Sequence, residues 1–349
     1  MIEIESVDCI AQPPSTSPTG PTSMHRQFWI ILVIALGVSL IPLFLFINRQ
    51  TLQLLLNIPP LILLVMVTLM LISWIFEGAR LRILCSLLHI GLPLHKSMGI
   101  VMAAEFAGAA TPAASGMGAA YILFLRRRGV DIGHSGGLLV LIIIFDLLFI
   151  ILLFSGAILI MVSASRHVPN LSAFVTLLIT VLSTFIIAIL AWHIEHRRLL
   201  LWIDYLLRQV RWYRRHRFSV ARSVHRFAQA AGLIKTMNWR HRWLIFGSTA
   251  GYWLPRYLIL WILMAYAGVV VSVPYLIVSQ TLLNLTVQLS ILPGGAGTVG
   301  AAYALLFGST MARGDVGFSL LGWRFFTYYW YLLVGAPWFF LELKSGFQG

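Results

Sequence analysis

Four charged residues interrupt long apolar stretches of the sequence: Glu105, Asp146, Arg256 and Arg324. A charged side chain at membrane depth costs at least about 2.5–3.5 kcal/mol on insertion scales, so such residues first suggest a functional role. Guanidinium groups match phosphate oxygens bidentately, which suits the two arginines to the anionic part of a lipid headgroup. The two carboxylates suit the roles of counter-ion or proton carrier. Alternatively, the four residues form two internal salt bridges that only hold helices together.

A polar stripe is predicted on one helix in the second half of the chain. Gln280, Asn284 and Gln288 recur every four residues and therefore share a helical face, with Thr281 and Thr286 partly off it. We expect Asn284 and Gln288 to line a path for a lipid headgroup. Hydrogen bonding to a neighbouring helix would produce the same pattern.

A second charged pair stands near the end of an apolar run, at Glu77 and Arg80. Long charged side chains near helix ends commonly extend their charged groups into the aqueous interface. We therefore expect both residues at the membrane surface, away from any substrate path.

Two segments rich in small residues break apolar stretches, at residues 110–118 and 292–300. Irregular backbone at membrane depth is tolerated only where it is buried in protein or lines a wet cavity. Backbone N–H groups at helix starts also favour anions. The alternative is that the glycines only permit close helix packing. Substrate contacts are predicted in both segments, at Thr111, Pro112, Ser115, Gly116, Pro293, Gly294, Gly295 and Gly297.

The elements that position these residues are predicted to be membrane-spanning helices. Apolar residues make up 59% of the chain and charged residues 10%, whereas soluble domains average about 25% charged residues. Several uncharged runs approach the roughly 20 residues that a helix needs to cross about 30 Å of hydrocarbon. The sequence predicts an all-α integral membrane fold with six spanning helices, at Phe28–Ile47, Leu61–Phe76, Gly136–Val162, Leu171–Trp192, Trp243–Tyr266 and Val316–Leu341.

The positions of basic residues predict two inverted halves. Basic residues mark cytoplasmic ends of spans, and the segment 97–125 has them at both ends, which favours a re-entrant hairpin. Residues 275–312 repeat this design, and Gly118–Tyr121 recurs as Gly300–Tyr303. With three crossings in each half, the second half is inverted and both termini lie on the cytoplasmic side of an inner membrane. A transport site is expected where the halves meet.

The domain organisation follows from this topology. A membrane domain at 24–343 contains a first repeat, 28–162, and a second, 171–343, and a short C-terminal tail follows at 344–349. Residues 1–23, rich in Pro, Ser and Thr, are predicted to form a disordered tail. The segment 195–242, with 12 Arg or Lys residues against two acids, is expected to lie on anionic lipid headgroups at the cytoplasmic face. Despite a net charge of +14, nucleic-acid binding is not expected.

The broken segments carry a family resemblance. Thr111–Gly116, followed by Leu125–Gly129, resembles the first signature of the lysylphosphatidylglycerol synthase transmembrane-domain family, a flippase-like group. Leu292–Gly297 resembles the second signature, and Arg324 falls where the family tends to carry an arginine. The likeness covers roughly residues 28–343.

This resemblance implies lipid translocation. The lipid is aminoacylated phosphatidylglycerol in the multiple peptide resistance factors, and polyprenyl or hopanoid lipids are implied for stand-alone relatives. Two departures leave the substrate and the coupling chemistry open. Gly300 stands where the family usually has a glutamate, and Ile142 and Ile143 replace a Glu-Arg pair, although Asp146 remains. No soluble aminoacyl-transfer domain follows the last predicted span, so lysine transfer is not expected.

The sequence contains no Walker loop, no Gly-x-Ser-x-Gly element and no cysteine or histidine pairs with metal-ligand spacing. We therefore expect a lipid flippase or transporter rather than an enzyme, without a cofactor or metal. Its substrate is expected to be an anionic or phosphate-containing lipid, of phospholipid or polyprenyl-phosphate type. One alternative is a membrane-embedded lipid-phosphate transferase or phosphatase with Glu105 or Asp146 as base. Another is a scaffold that docks a lipid or glycan synthesis enzyme as its partner.

Overall fold

The computed structural model describes residues 47–164, 222–223, 225–230, 232–235, 237–290, 292–295 and 297–345. Within these residues all regular structure is helical and no strand occurs, which confirms the all-α class. The predicted N-terminal tail, nearly all of the first span, the whole fourth span and most of the basic segment lie outside the described residues.

The described chain follows a simple order of helices. Short 3₁₀ turns at Pro112–Ala114 and Pro293–Gly295 interrupt it, and Phe325–Tyr329 is π-helical. The named α-helices are α1 (Arg49–Leu56), α2 (Pro60–Leu87), α3 (Leu94–Ala109), α4 (Ser115–Arg127), α5 (Ile132–Ala164), α6 (Trp239–Tyr266), α7 (Val273–Leu289), α8 (Thr298–Phe307), α9 (Arg313–Arg324) and α10 (Trp330–Ser345).

Two described helices are long and apolar enough to cross a bilayer. They are Pro60–Leu87 and Ile132–Ser163, with mean hydropathies of 2.3 and 3.2. Pro60 begins α2, where its fixed φ suits the first helical turn and its missing N–H costs nothing. The predicted spans Trp243–Tyr266 and Val316–Leu341 are also helical, in α6 and in the stretch from α9 to α10. The total of six crossings and the inverted repeats stay predictions.

The first broken segment forms a helical hairpin from α3, a 3₁₀ turn and α4. The Thr111 hydroxyl donates to the carbonyl of Ala107 over 2.8 Å and accepts the backbone N–H of Gly116 over 2.7 Å. One side chain thereby satisfies polar groups at the end of α3 and the start of α4. A Cβ on Gly116 would lie 2.5 Å from the Ala107 carbonyl oxygen, so only glycine allows this close approach.

The second broken segment forms a similar hairpin from α7, a 3₁₀ turn and α8. Its turn contains Gly294, Gly295 and Gly297 with φ of +59°, +68° and +80°, a region that favours glycine. The Thr298 hydroxyl donates to the carbonyl of Gly295 over 3.1 Å. The Ser290 hydroxyl oxygen lies 3.2 Å from that of Thr298. These contacts fold the turn back on the start of α8.

The two hairpin turns meet. The backbone N–H of Ala113 donates to the carbonyl of Ser290 over 3.1 Å. Ala113 and Ala114 hold left-handed φ of +50° and +53°, which is uncommon for residues with a side chain. The surrounding helices therefore hold the first turn in a strained conformation that directs its backbone toward the second turn.

Polar contacts define one end of the helix bundle. The Tyr266 hydroxyl, at the end of α6, donates to the carbonyl of Asn57 just before α2 over 2.8 Å. The Thr51 hydroxyl of α1 donates to the carbonyl of Gly314 at the start of α9 over 3.1 Å. The start of α2, the end of α6 and the start of α9 are therefore neighbours.

A second group of polar contacts lies around the end of α10 and the start of α5. Arg128, after α4, pairs with Glu342 near the end of α10 at 2.7 Å. Arg226 of the basic segment forms an ion pair with Asp131 at the start of α5. A Cβ on Gly99, in the first half of α3, would lie 3.1 Å from Glu342. The start of α3 and the end of α4 therefore both lie near the end of α10.

Candidate functional site

A cavity of about 140 Å³ lies between the two hairpin turns and helices α6, α9 and α10. Both turns contribute to its wall, through Ala114 and Gly294. Charged, amide and aromatic side chains dominate the rest. The predicted site residues that line it are Glu105, Arg256, Asn284, Gln288, Gly294 and Arg324.

Arg324 lines the cavity and has no carboxylate partner among the described residues. Its Nη1 and Nη2 atoms donate to the carbonyls of Gly294 and Gly295 over 2.6 and 3.0 Å. No described carboxylate lies within ion-pair distance of Arg324. These two bonds use two of the five N–H donors of a guanidinium. The rest of the group, partly exposed, is directed to the cavity with its positive charge uncompensated.

The π-helical segment after Arg324 sets this geometry. Single π-helical turns inside α-helices are rare and often occur at functional sites. The segment places Tyr328 against the second turn, where a Cβ on Gly294 would lie 2.0 Å from the Tyr328 ring. The Arg324 guanidinium lies 5.5 Å from the centre of the same ring. Glycine at position 294 therefore lets the turn, the ring and the cation occupy one small space.

Glu105 and Arg256 form a buried ion pair on the cavity wall. Arg256 Nη2 lies 2.5 Å from Glu105 Oε1, and Tyr252 donates to the same oxygen over 3.0 Å. The indole N–H of Trp74 donates to Glu105 Oε2 over 2.5 Å. Arg256 Nε donates to the Ser73 hydroxyl over 2.8 Å. Because its charge is matched by Glu105, Arg256 is less available to an anion than Arg324.

Asp146 does not reach the cavity, contrary to its predicted substrate contact. Its two oxygens accept from Arg80 Nη1 and Nη2 over 2.6 and 3.2 Å. Glu77 and Arg80 are 3% and 1% exposed, so their predicted place at the membrane surface is wrong. The physical reason is that Arg80 pairs with Asp146 and lies beside Glu77, and charged groups that meet opposite charges are tolerated in the interior. The indole N–H of Trp253 also donates to Asp146 over 2.9 Å.

The polar stripe on α7 divides between two uses. The Gln280 amide donates to the carbonyl of Tyr257 over 3.0 Å, as a helix-to-helix contact. Asn284 and Gln288, one and two turns further on, also line the cavity, and Gln288 is exposed. The stripe therefore faces the cavity at all three positions, and Gln280 also bonds a neighbouring helix; that it lines a path for a headgroup stays a prediction.

Several predicted contact residues shape the turns instead of lining the cavity. Thr111 and Gly116 hold the first hairpin together, as described above. Gly295 presents its carbonyl to Arg324, and Gly297 starts α8 with a positive φ. The predicted residues outside the cavity wall are Thr111, Pro112, Ser115, Gly116, Asp146, Pro293, Gly295 and Gly297.

Sequence reasoning missed the aromatic part of the wall. Tyr252 stands four residues before Arg256, a spacing that places both on one helical face and could have indicated it. The other aromatic residues carry no comparable signal, because aromatic side chains are common in membrane helices. The aromatic residues of the wall are Tyr252, Trp253, Tyr257, Trp323, Tyr328 and Tyr331.

Residues 30–335 match the family model described as the lysylphosphatidylglycerol synthase TM region. The chain belongs to this family. The match spans both hairpins, the cavity and Arg324, and it confirms the resemblance found in the sequence. It identifies the chain as a helical membrane domain with a lipid-related function. No curated protein and no solved structure matches the chain.

Proposed function

We propose that the protein is a flippase or transporter that moves an anionic, phosphate-containing lipid across the membrane. The headgroup binds in the cavity where the hairpin turns meet, with Arg324 as its anchor. The observation that carries this proposal is the state of Arg324, whose fork is fixed by two turn carbonyls and has no described carboxylate partner.

The chemistry of Arg324 favours phosphate. Charge-assisted hydrogen bonds from a guanidinium to a phosphate are among the strongest in proteins, and the planar fork suits two oxygens at once. The Gly294 and Gly295 carbonyls fix the guanidinium before any ligand arrives, which lowers the ordering cost of binding. Asn284 and Gln288 supply neutral donors and acceptors nearby for the rest of a headgroup.

The size of the cavity favours a headgroup over a whole lipid. Sites for drug-sized ligands typically measure about 300–1,000 Å³, whereas this cavity measures about 140 Å³. A lipid would therefore place its headgroup between the turns and keep its acyl chains in the bilayer. A small polar cavity of this kind suits a transporter that binds only the headgroup while the acyl chains stay in the bilayer.

The contacts at the two bundle ends support the topology that transport needs. The ion pair of Arg128 with Glu342 brings the end of the first hairpin to the end of α10. We place this end, with both termini, at the cytoplasmic face of an inner membrane because its basic residues fit that side. The second hairpin then enters from the other face. Two half-crossing elements that meet at mid-bundle give the site a route to both leaflets.

Reconstituted proteoliposomes test the proposal. Fluorescent phospholipids with an anionic and with a zwitterionic headgroup are placed in one leaflet, and their appearance in the other is followed by chemical quenching. We expect the wild type to speed translocation of the anionic lipid and Arg324→Gln to lose most of this activity. Arg313→Gln is the matched control, because Arg313 is an exposed arginine on the same helix. Translocation at equal rates in empty liposomes and with the protein would refute the proposal.

The same samples separate the alternatives. A transferase or phosphatase would convert a lipid phosphate into a new product, which mass spectrometry of the extracted lipids detects. A scaffold would neither translocate a lipid nor form a new product, and the wild type and Arg324→Gln would then give the same result in both measurements.

A further inference from the structure

Ion pairs, hydrogen bonds and one cation–ring contact join Glu77, Arg80, Glu105, Asp146 and Arg256 into one network of three carboxylates and two cations. Glu105 is matched by Arg256, as the 2.5 Å ion pair shows. The other cation of this network, Arg80, faces both Glu77 and Asp146, at 2.5 and 2.6 Å. With every acid ionised, this triad of Glu77, Arg80 and Asp146 would carry one uncompensated negative charge in the protein interior.

Geometry shows which acid holds the guanidinium. Arg80 Nη1 and Nη2 donate to separate oxygens of Asp146, at 2.6 and 3.2 Å, in a bidentate arrangement. Nη1 also donates to the Thr249 hydroxyl over 3.0 Å. Asp146 further accepts from Trp253. Arg80 is 1% exposed and Asp146 20% exposed, so the two form a partly buried salt bridge with bidentate geometry.

Glu77 is the surplus acid. It is 3% exposed, and its Oε1 accepts from the Tyr121 hydroxyl over 3.0 Å. Its Oε2 is buried and lies close to Arg80 Nη2, yet it receives no well-directed hydrogen bond from any described residue. An ionised carboxylate normally accepts several hydrogen bonds when buried. Of the two acids beside Arg80, Glu77 therefore has the poorer hydrogen bonding to its oxygens.

We propose that the triad is a proton-binding site that holds one exchangeable proton on Glu77. The Tyr121 hydroxyl donates to Oε1 of the ionised acid. When the proton binds Oε1, the hydroxyl turns its own hydrogen away and accepts from Oε1, and Oε2 then faces Arg80 as a neutral carbonyl oxygen. Binding of this proton removes the excess charge and leaves Arg80 paired with Asp146 alone. The charged and titratable groups around Glu77 on the packed elements are Arg80 of α2, Glu105 of α3, Tyr121 of α4, Asp146 of α5 and Tyr252 of α6.

The triad is connected to the cavity by two aromatic residues. Trp253 donates to Asp146 and lines the cavity. The Arg80 guanidinium lies 5.5 Å from the centre of the Tyr252 ring, and Tyr252 also lines the cavity. Protonation removes a negative charge near this wall and so favours an anion at Arg324, and bound anion favours the proton in return. This use of the site rests on the proposed lipid transport, whereas the proton site itself does not.

Infrared spectroscopy of the purified full-length protein tests the site without any transport assay. Between about pH 8 and pH 6 ordinary carboxyl groups stay ionised, so the carbonyl stretch of a protonated acid reports unusual groups. We expect this band in the wild type and in Asp315→Asn, and we expect its loss in Glu77→Gln. Absence of the band from the wild type, or its persistence in Glu77→Gln, would overturn the proposal.

Thermal unfolding of the same variants identifies the proton's location. Glutamine is the neutral isostere of a protonated glutamate, so Glu77→Gln should unfold within a few degrees of the wild type. Asp146→Asn should unfold at a clearly lower temperature, because it breaks the bidentate pair with Arg80. If Glu77→Gln is the less stable variant, or fails to fold, Glu77 is ionised and the assignment is wrong.

Discussion

The backbone N–H of Ala113 donates a hydrogen bond to the carbonyl oxygen of Ser290 over 3.1 Å. Ala113 lies in the turn of the first hairpin and Ser290 caps α7 just before the second turn, so the contact joins the two hairpins beside the cavity that Arg324 lines. Two local interruptions of apolar sequence thus produce one shared site, because each turn exposes backbone groups that the other partly satisfies.

Replacement of Gly294 by alanine should weaken the second turn. Gly294 has φ +59°, and a Cβ there would lie 2.0 Å from the Tyr328 ring. We expect destabilisation of roughly 1–3 kcal/mol, measured by thermal unfolding in detergent, because strain and overlap add. Gly156→Ala is the control, since its Cβ would meet nothing within 4 Å. Equal stability of the two variants would show that the turn is less tightly packed than described.

Removal of either partner of the Glu105 and Arg256 pair should be severe. A broken buried ion pair typically costs about 3–5 kcal/mol, because one charge is left without a partner. We expect Glu105→Gln and Arg256→Gln each to lower the unfolding temperature strongly. The double variant should recover part of the loss.

A surface pair provides the comparison for this prediction. Arg226 and Asp131 are 36% and 30% exposed, and exposed pairs contribute about 0–1 kcal/mol. Asp131→Asn should therefore change stability little. If Asp131→Asn lowers the unfolding temperature as much as Glu105→Gln does, the buried pair is no more important for stability than the more exposed one, contrary to this prediction.

The geometry of the Arg324 fork should matter as well as its charge. Lysine keeps the charge but cannot hold two carbonyls and a phosphate in one plane. We expect Arg324→Lys to retain partial translocation of an anionic lipid and Arg324→Gln to reduce it about 10- to 100-fold, as the loss of a charge-assisted bond of about 1.5–3 kcal/mol implies. Initial rates are compared in proteoliposomes. Equal rates for Arg324→Lys and Arg324→Gln would show that the positive charge alone contributes nothing to translocation.

Accessibility of single cysteines should show which bundle ends share a membrane face. Arg126, Lys344, Gln50 and Arg313 are exposed positions at the two ends. In a cysteine-free background, Arg126→Cys and Lys344→Cys should react with a membrane-impermeant reagent only from the cytoplasmic face. Gln50→Cys and Arg313→Cys should react only from the other face. Labelling of Arg126→Cys from outside intact cells would refute the re-entrant first hairpin.

The sequence predicted the hairpins well because their signals are local. Proline and glycine interrupt apolar runs in both segments, and the turns at Pro112–Ala114 and Pro293–Gly295 fall inside them. Charge in an apolar run also identified Glu105, Arg256 and Arg324, since few membrane-depth charges lack a role. All three line one cavity.

The environments of Asp146 and Glu77 could not be predicted, because they depend on contacts between residues that are far apart in the sequence. Asp146 was expected at the substrate because its partner, Arg80, lies 66 residues away and was assigned to the membrane surface. No local pattern shows that the end of α2 packs against the middle of α5. The same limit hid the surplus carboxylate of Glu77, which becomes visible only when the partners of every buried charge are known.

Native mass spectrometry tests the central claim, that Arg324 holds an anionic headgroup between the two turns. The wild type, Arg324→Gln and Arg313→Gln are purified in parallel and incubated with one anionic and one zwitterionic phospholipid. The account predicts an adduct of the anionic lipid on the wild type and on Arg313→Gln, and its loss from Arg324→Gln. An anionic adduct that survives equally in Arg324→Gln, or no preference of the wild type for the anionic lipid, would contradict it.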